Sequence, residues 1–131
     1  MADPLNDLLV AETMQNTCVV TIHARELDAR SVEELTMRLL HLLENTSKVT
    51  PPRFVLNFEN VRLMESASFG ALVTFIKELS RHDGKVALTN VSENVRFLFT
   101  VTRLDRIFPI YADVWKALSA LAPADEPTLF A

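Results

Sequence analysis

The run Arg53-Phe54-Val55-Leu56-Asn57-Phe58 narrows the architecture more than any other stretch of this chain. A strand with one face in water alternates apolar and polar side chains, whereas a near-continuous apolar run needs cover on both faces. Thr50-Pro51-Pro52 cannot continue a helix and hands the chain into this run, and Glu59-Asn60 turns it out again. The run is predicted to be a central parallel strand, so the remaining chain must supply two covering layers.

The flanking segments have the pattern to do so. Leu8-Leu9-Val10 and Cys18 to His23 are short apolar, β-branched runs separated by the polar Glu12 to Thr17, which suits an antiparallel pair. Ser31-Val32-Glu33-Glu34 reads as a capping box opening a helix whose apolar face is Val32, Leu35, Leu39, Leu42 and Leu43. A second helix runs from Ser68 through Leu72, Val73, Phe75, Ile76 and Leu79 to an exit at Asp83-Gly84. Lys85 to Thr89 is the next strand, and Ser92 caps a helix bearing Val95, Leu98 and Phe99. Arg106 to Ile110 is predicted as a last strand whose Pro109 suits an edge, and Asp113 caps a final helix with Val114, Ala117, Leu118 and Leu121. The order β-β-α-β-α-β-α-β-α predicts an α/β fold: a mixed, mostly parallel sheet of about five strands with four helices.

Length and composition agree. The 131 residues, 49% apolar and 23% charged with two glycines and six prolines, suffice for one globular domain and exclude a low-complexity chain. Residues 1–131 are read as a single domain with its core at about 8–121 and a flexible tail at 122–131. The net charge of −4, without a basic stripe, argues against nucleic acid as a partner. The longest stretches without Asp, Glu, Lys or Arg, Thr13 to Ala24 and Ser66 to Ile76, are shorter than the roughly 18 apolar residues of a spanning helix. Met1 to Asp7 lacks the basic flank and apolar centre of a signal peptide, so no membrane insertion and a cytoplasmic location are expected. The single Cys18 reads as a packed strand residue.

No constellation calls for catalysis or a cofactor. Gly70 and Gly84 are isolated, so neither a phosphate loop nor a nucleophile elbow is present. His23, His41 and His82 have no ligand spacing, and no second cysteine could help them hold a metal. Asp28 and Glu65 read as loop acids that accept backbone amides rather than as paired catalytic carboxylates. A binding module is expected, not an enzyme.

From Phe54 to Leu72 the chain joins a buried strand, a short acidic turn and small polar residues that open an apolar helix. This stretch resembles the STAS domain, the sulfate-transporter and anti-sigma-factor-antagonist family, in which an aliphatic strand leads through Asp-Ser-Ser-Gly-Leu-Gly into a helix. Arg25-Glu26-Leu27-Asp28 resembles the family's Gly-Glu-Leu-Asp, Asn90 to Val95 its strand-to-helix step, and Leu104 to Tyr111 its last strand. The resemblance covers about residues 8–121 and implies an anti-sigma factor antagonist of bacterial partner switching. Such a domain binds a serine-kinase anti-sigma factor in the cytoplasm and is released when the second serine of the motif is phosphorylated.

At that serine this chain departs from the pattern. Glu65 stands for the family aspartate, Ser66 for the first serine, Ala67 for the phosphoacceptor, Ser68 for the glycine, Phe69 for the leucine and Gly70 for the last glycine. Alanine has no hydroxyl, so the usual switch cannot operate there. Ser66 and Ser68 are the remaining candidate acceptors, each read first as a cap or surface serine. The resemblance then implies either constitutive binding of a kinase partner or service as a docking subunit of a transporter ATPase or stress-sensing complex. The expected contact residues are Asp28, Met64, Glu65, Ser66, Ala67, Ser68 and Phe69. Trp115 is expected to pack along the sheet, one of Phe97 and Phe99 to face out, and Arg25 and Arg62 are assigned no role.

Overall fold

A computed structural model describes residues 8–46 and 51–122; Thr50 and, apart from Ala122, the predicted tail lie outside that range. Strand β1 (Leu9–Met14) turns back at Gln15-Asn16 into β2 (Thr17–Ile22). The pair is antiparallel, from Leu9 opposite Ile22 to Met14 opposite Thr17. Both turn residues have positive φ, 51° and 60°, the requirement of the tight hairpin turn whose twist matches that of the strands. The hairpin is thus longer and its turn shorter than expected, because an edge strand exposed from Val10 to Thr13 carries polar residues without losing its ladder.

After the short β3 (Glu26–Leu27) comes helix α1 (Ala29–Thr46). It begins two residues before Ser31, and its cap is not the predicted Ser31-Glu34 box. The Asp28 carbonyl accepts the first helical bond, from the Val32 amide at 3.0 Å. Asp28 Oδ1 accepts the Ser31 amide at 2.8 Å, and the Asp28 amide donates to Ser31 Oγ at 3.0 Å. A carboxylate three residues upstream is the stronger acceptor, so Ser31 serves as its reciprocal partner and Glu34 pairs with Arg38 at 3.5 Å instead.

Strand β4 (Arg53–Asn57) is buried along its whole length, with β2 on one side and β6 (Lys85–Thr89) on the other, both parallel to it. Between them lie β5 (Leu63–Met64) and α2 (Ala67–Arg81). Then follow α3 (Glu93–Val101), a 3₁₀ turn at Leu104–Arg106, β7 (Ile110–Tyr111) and α4 (Val114–Leu121). The main sheet has the order β1-β2-β4-β6-β7, all parallel except β1. The fold class is as expected from the sequence. The last strand is not: the segment assigned to it enters the 3₁₀ turn, and only Ile110 and Tyr111 pair with β6, opposite Leu88 and Thr89.

The two-fold period of the strands divides the core. Phe54, Leu56 and Phe58 face α1 and α2 with Leu35, Leu39, Leu72 and Phe75. Val19, Val55 and Ala87 face α4 through Ala117, Leu118 and Leu121. Each of the fully buried Leu and Phe side chains contributes about 2–3 kcal/mol by leaving water. Cys18 is buried in the first of these layers, and burial raises its thiol from 9.0 to about 11. Ser92 and Asp113 cap α3 and α4 as predicted, accepting the Val95 and Lys116 amides. Trp115, expected to pack, is 57% exposed: at the second residue of α4 it lies off the face that Ala117, Leu118 and Leu121 turn to the sheet.

Candidate partner-binding surface

A second, two-stranded sheet that the sequence did not suggest assembles the candidate site. β3 and β5 run parallel, Glu26 opposite Leu63 and Leu27 opposite Met64. The Arg25 carbonyl accepts the Arg62 amide at 2.7 Å and the Leu63 amide at 3.2 Å. The Leu27 carbonyl accepts both the Glu65 amide at 2.9 Å and the Ser68 hydroxyl at 2.8 Å. Segments far apart in sequence, 41 residues for Leu27 and Ser68, are thereby laid side by side, and the Asp28 turn joins the Glu65–Gly70 loop in one surface.

Within it the predicted residues divide by burial. Glu65, Ser66 and Ala67 are exposed and Asp28 is half-buried. Met64, Ser68 and Phe69 are not surface residues. Met64 and Phe69 belong to the main core, with Phe69 edge-to-face on Phe99 at 5.0 Å. Ser68 is fully buried, neither a cap nor a surface serine, and its hydroxyl is spent on Leu27. A side chain at the second position of α2 points back under the loop toward β3, and a small hydroxyl residue is what that space holds. Ser66 occupies the helix N-cap position in an αR conformation with no side-chain capping bond, and the residue is exposed. Ala67 opens the helix beside it.

Two acids adjoin the N-terminus of α2 in this surface: Glu65 directly before its N-cap and Asp28 just after the neighbouring strand β3. The Ser31 amide and then the Ser31 hydroxyl, both donating to Asp28, hold its carboxyl below the ordinary 3.8. Asn57, at the end of β4, orders the loops behind: its Oδ1 accepts the Glu59 amide at 3.1 Å and the Asn90 side-chain amide at 3.0 Å. Asn90 takes the left-handed conformation, φ 56°, that asparagine tolerates. Helix α3 flanks the surface. Phe99 is its buried anchor, edge-to-face with Phe58, Phe69 and Phe108, and Phe97, about 200° away around the helix, is exposed. Sequence reasoning missed Leu63, which is 55% exposed on β5; a two-residue strand has no periodicity by which to find it.

Among the described residues no helix is long and apolar enough to cross a membrane. A candidate anti-sigma factor antagonist of Thermotoga neapolitana is 33% identical over 66 residues, which span 50% of this chain and 58% of that protein. Among solved structures, an anti-sigma-factor antagonist (STAS) domain protein of Planctomyces limnophilus superposes with a TM-score of 0.75 at 23% identity, covering 87% of this chain and 97% of that one. The phosphorylated form of the Bacillus cell fate determinant SpoIIAA gives a TM-score of 0.64 at 23% identity, over 87% of this chain and 99% of that one. The fold is therefore that of anti-sigma factor antagonists. With the strand, acidic turn and helix N-terminus in the expected places and the STAS domain model matching residues 9–117, the chain belongs to the STAS domain family.

Proposed function

We propose that this chain acts as an anti-sigma factor antagonist that binds a serine-kinase anti-sigma factor without the phosphorylation switch of its relatives. The observation that carries the reading is Ala67: an exposed alanine begins α2 where the family pattern has its phosphoacceptor serine, on the surface that the β3–β5 pair assembles. Of the two neighbouring hydroxyls, Ser68 is buried and bonded, so a kinase reaching this surface would meet Ser66 alone. The contact then falls to Asp28, Glu65, Ser66 and Ala67, with Met64, Ser68 and Phe69 as the scaffold that holds them. A phosphate here would add about −1.5 to −2 charge to a surface that already carries Asp28 and Glu65, and without a hydroxyl at position 67 that site keeps its unphosphorylated form. Such a protein regulates transcription by titrating its partner, through its own abundance instead of its modification state.

The test is affinity capture from native lysate with the wild type and Ala67→Glu in parallel, with partners identified by mass spectrometry. A serine-kinase anti-sigma factor held by the wild type and weakened roughly tenfold or more by Ala67→Glu is the expected result. Phosphate incorporation by that kinase should be absent from the wild type and appear in Ala67→Ser. Capture of transporter-ATPase or stress-complex subunits, insensitive to position 67, would overturn the reading and identify a docking subunit.

A further inference from the structure

At the far edge of the main sheet from β1, part of its last long strand has no strand paired to its outer side, although Val86 and Ala87 are themselves buried. β7 pairs with only Leu88 and Thr89 of β6, so among the described residues no strand lies beyond Lys85, Val86 and Ala87. The Leu88 amide donates outward to the Pro109 carbonyl at 2.8 Å, whereas the Lys85 amide donates inward to Pro52 at 3.0 Å. Backbone groups two residues apart in a strand point the same way, so the Val86 N–H and C=O face outward like those of Leu88. They face a groove of about 700 Å³. One wall is Val73 and Ile76 of α2, the other Ala120 and Leu121 of α4, and Ile107 and Pro109 close one end.

The rim of this groove is electrically one-sided. Lys77, Lys85 and Arg106 line it, and no carboxylate does, although the chain as a whole carries a net charge of −4. Asp83 and Asp105 adjoin it in sequence but are absent from its lining. All three cations are exposed, and none is in an ion pair among the described residues. A groove with unpaired outward backbone groups at Val86, apolar walls and an unbalanced basic rim has features by which proteins take up an extended peptide as an added strand.

We propose that this groove is a second docking site, distinct from the Ala67 surface, for an extended acidic segment of a partner protein. The segment would pair its backbone with Val86, place alternate aliphatic side chains against α2 and α4, and set its carboxylates against Lys77, Lys85 and Arg106.

The test is titration of the ¹⁵N-labelled full chain with the peptide acetyl-Glu-Val-Asp-Ile-Glu-Val-amide, followed by NMR and fluorescence anisotropy. The expected result is saturable binding with the largest amide shifts at Val86 to Leu88 and Ile107 to Tyr111. Lys85→Glu with Arg106→Glu should weaken it roughly tenfold, and N-methylation of alternate peptide amides should abolish it. Both substitutions are at exposed positions, so folding is not at stake. Absence of binding, equal binding of the peptide with lysine at its acidic positions, or shifts confined to other faces would overturn the proposal. So would binding only by a chain ended at Ala122, because the groove's occupant would then be residues 123–131 of the chain itself.

Discussion

The two glycines of this chain should respond to alanine with opposite signs, and the structure supplies both magnitudes. At Gly84 an added methyl group would sit 2.7 Å from Leu79 Cγ and 2.9 Å from the Pro52 carbonyl oxygen, closer than such contacts occur. The Gly84 amide donates to the Leu79 carbonyl at 2.9 Å, and Asp83 before it is held at φ 56°, so the backbone cannot move aside without loosening the end of α2. The Pro52 carbonyl in turn accepts the Lys85 amide that starts β6. Gly84→Ala therefore overpacks a rigid junction and should cost about 1–3 kcal/mol. At Gly70, in the exposed first turn of α2, an added methyl meets nothing within 4 Å. Gly70→Ala removes backbone freedom from the unfolded chain and should stabilise by roughly 0.5–1 kcal/mol. In a domain of this size each kcal/mol moves the melting temperature by roughly 4 °C, so thermal and urea unfolding separate the two variants on either side of the wild type. A Gly84→Ala protein as stable as the wild type would refute the close-approach argument. A destabilised Gly70→Ala protein would show that the first turn of α2 is packed differently from this structure.

Two further outcomes follow from the same reasoning. Phe99, in edge-to-face contact with three other rings and fully buried, should cost about 3–5 kcal/mol as Phe99→Ala, whereas Phe97→Ala should leave stability within about 0.5 kcal/mol in urea unfolding. The Asp28 carboxyl is held below 3.8 in the folded chain, so the folded state takes up its proton less readily than the unfolded one. Its contribution is complete above 3.8 and disappears as pH falls through the folded value. The urea midpoints of wild type and Asp28→Asn should therefore converge as pH falls from above 3.8 through the lowered folded value, and a constant gap would contradict the Ser31 bonds described above.

The long elements were legible because each has a period and a boundary. Phe54 to Phe58 could be read as a doubly covered strand from its continuous apolarity, and α2 and α4 from the spacing of Leu72, Phe75 and Leu79 and of Ala117, Leu118 and Leu121. Ser92 and Asp113 announced their helices because a cap is a local bond, made by the residue to amides within its own next turn. The choice between Asp28 and Ser31 as the cap of α1 was equally local but ambiguous, since both residues can form the reciprocal pair, and the stronger acceptor took it.

What belonged to the sequence alone was the layer order, the parallel centre of the sheet and the missing hydroxyl at position 67. Each is a property of residue type along the chain, independent of where distant segments lie. Tertiary structure decided the rest. β3 and β5 are too short to carry a pattern and exist only because they meet, and their meeting turns Ser68 inward onto the Leu27 carbonyl while leaving Ser66 and Ala67 outside. The same holds for the groove beside Val86, which arises because the chain after α3 winds into a 3₁₀ turn and returns with only Ile110 and Tyr111 to pair. Whether a hydroxyl is accessible or a strand edge covered depends on which remote backbone arrives to bond it, and residue type along a chain does not encode that arrival locally.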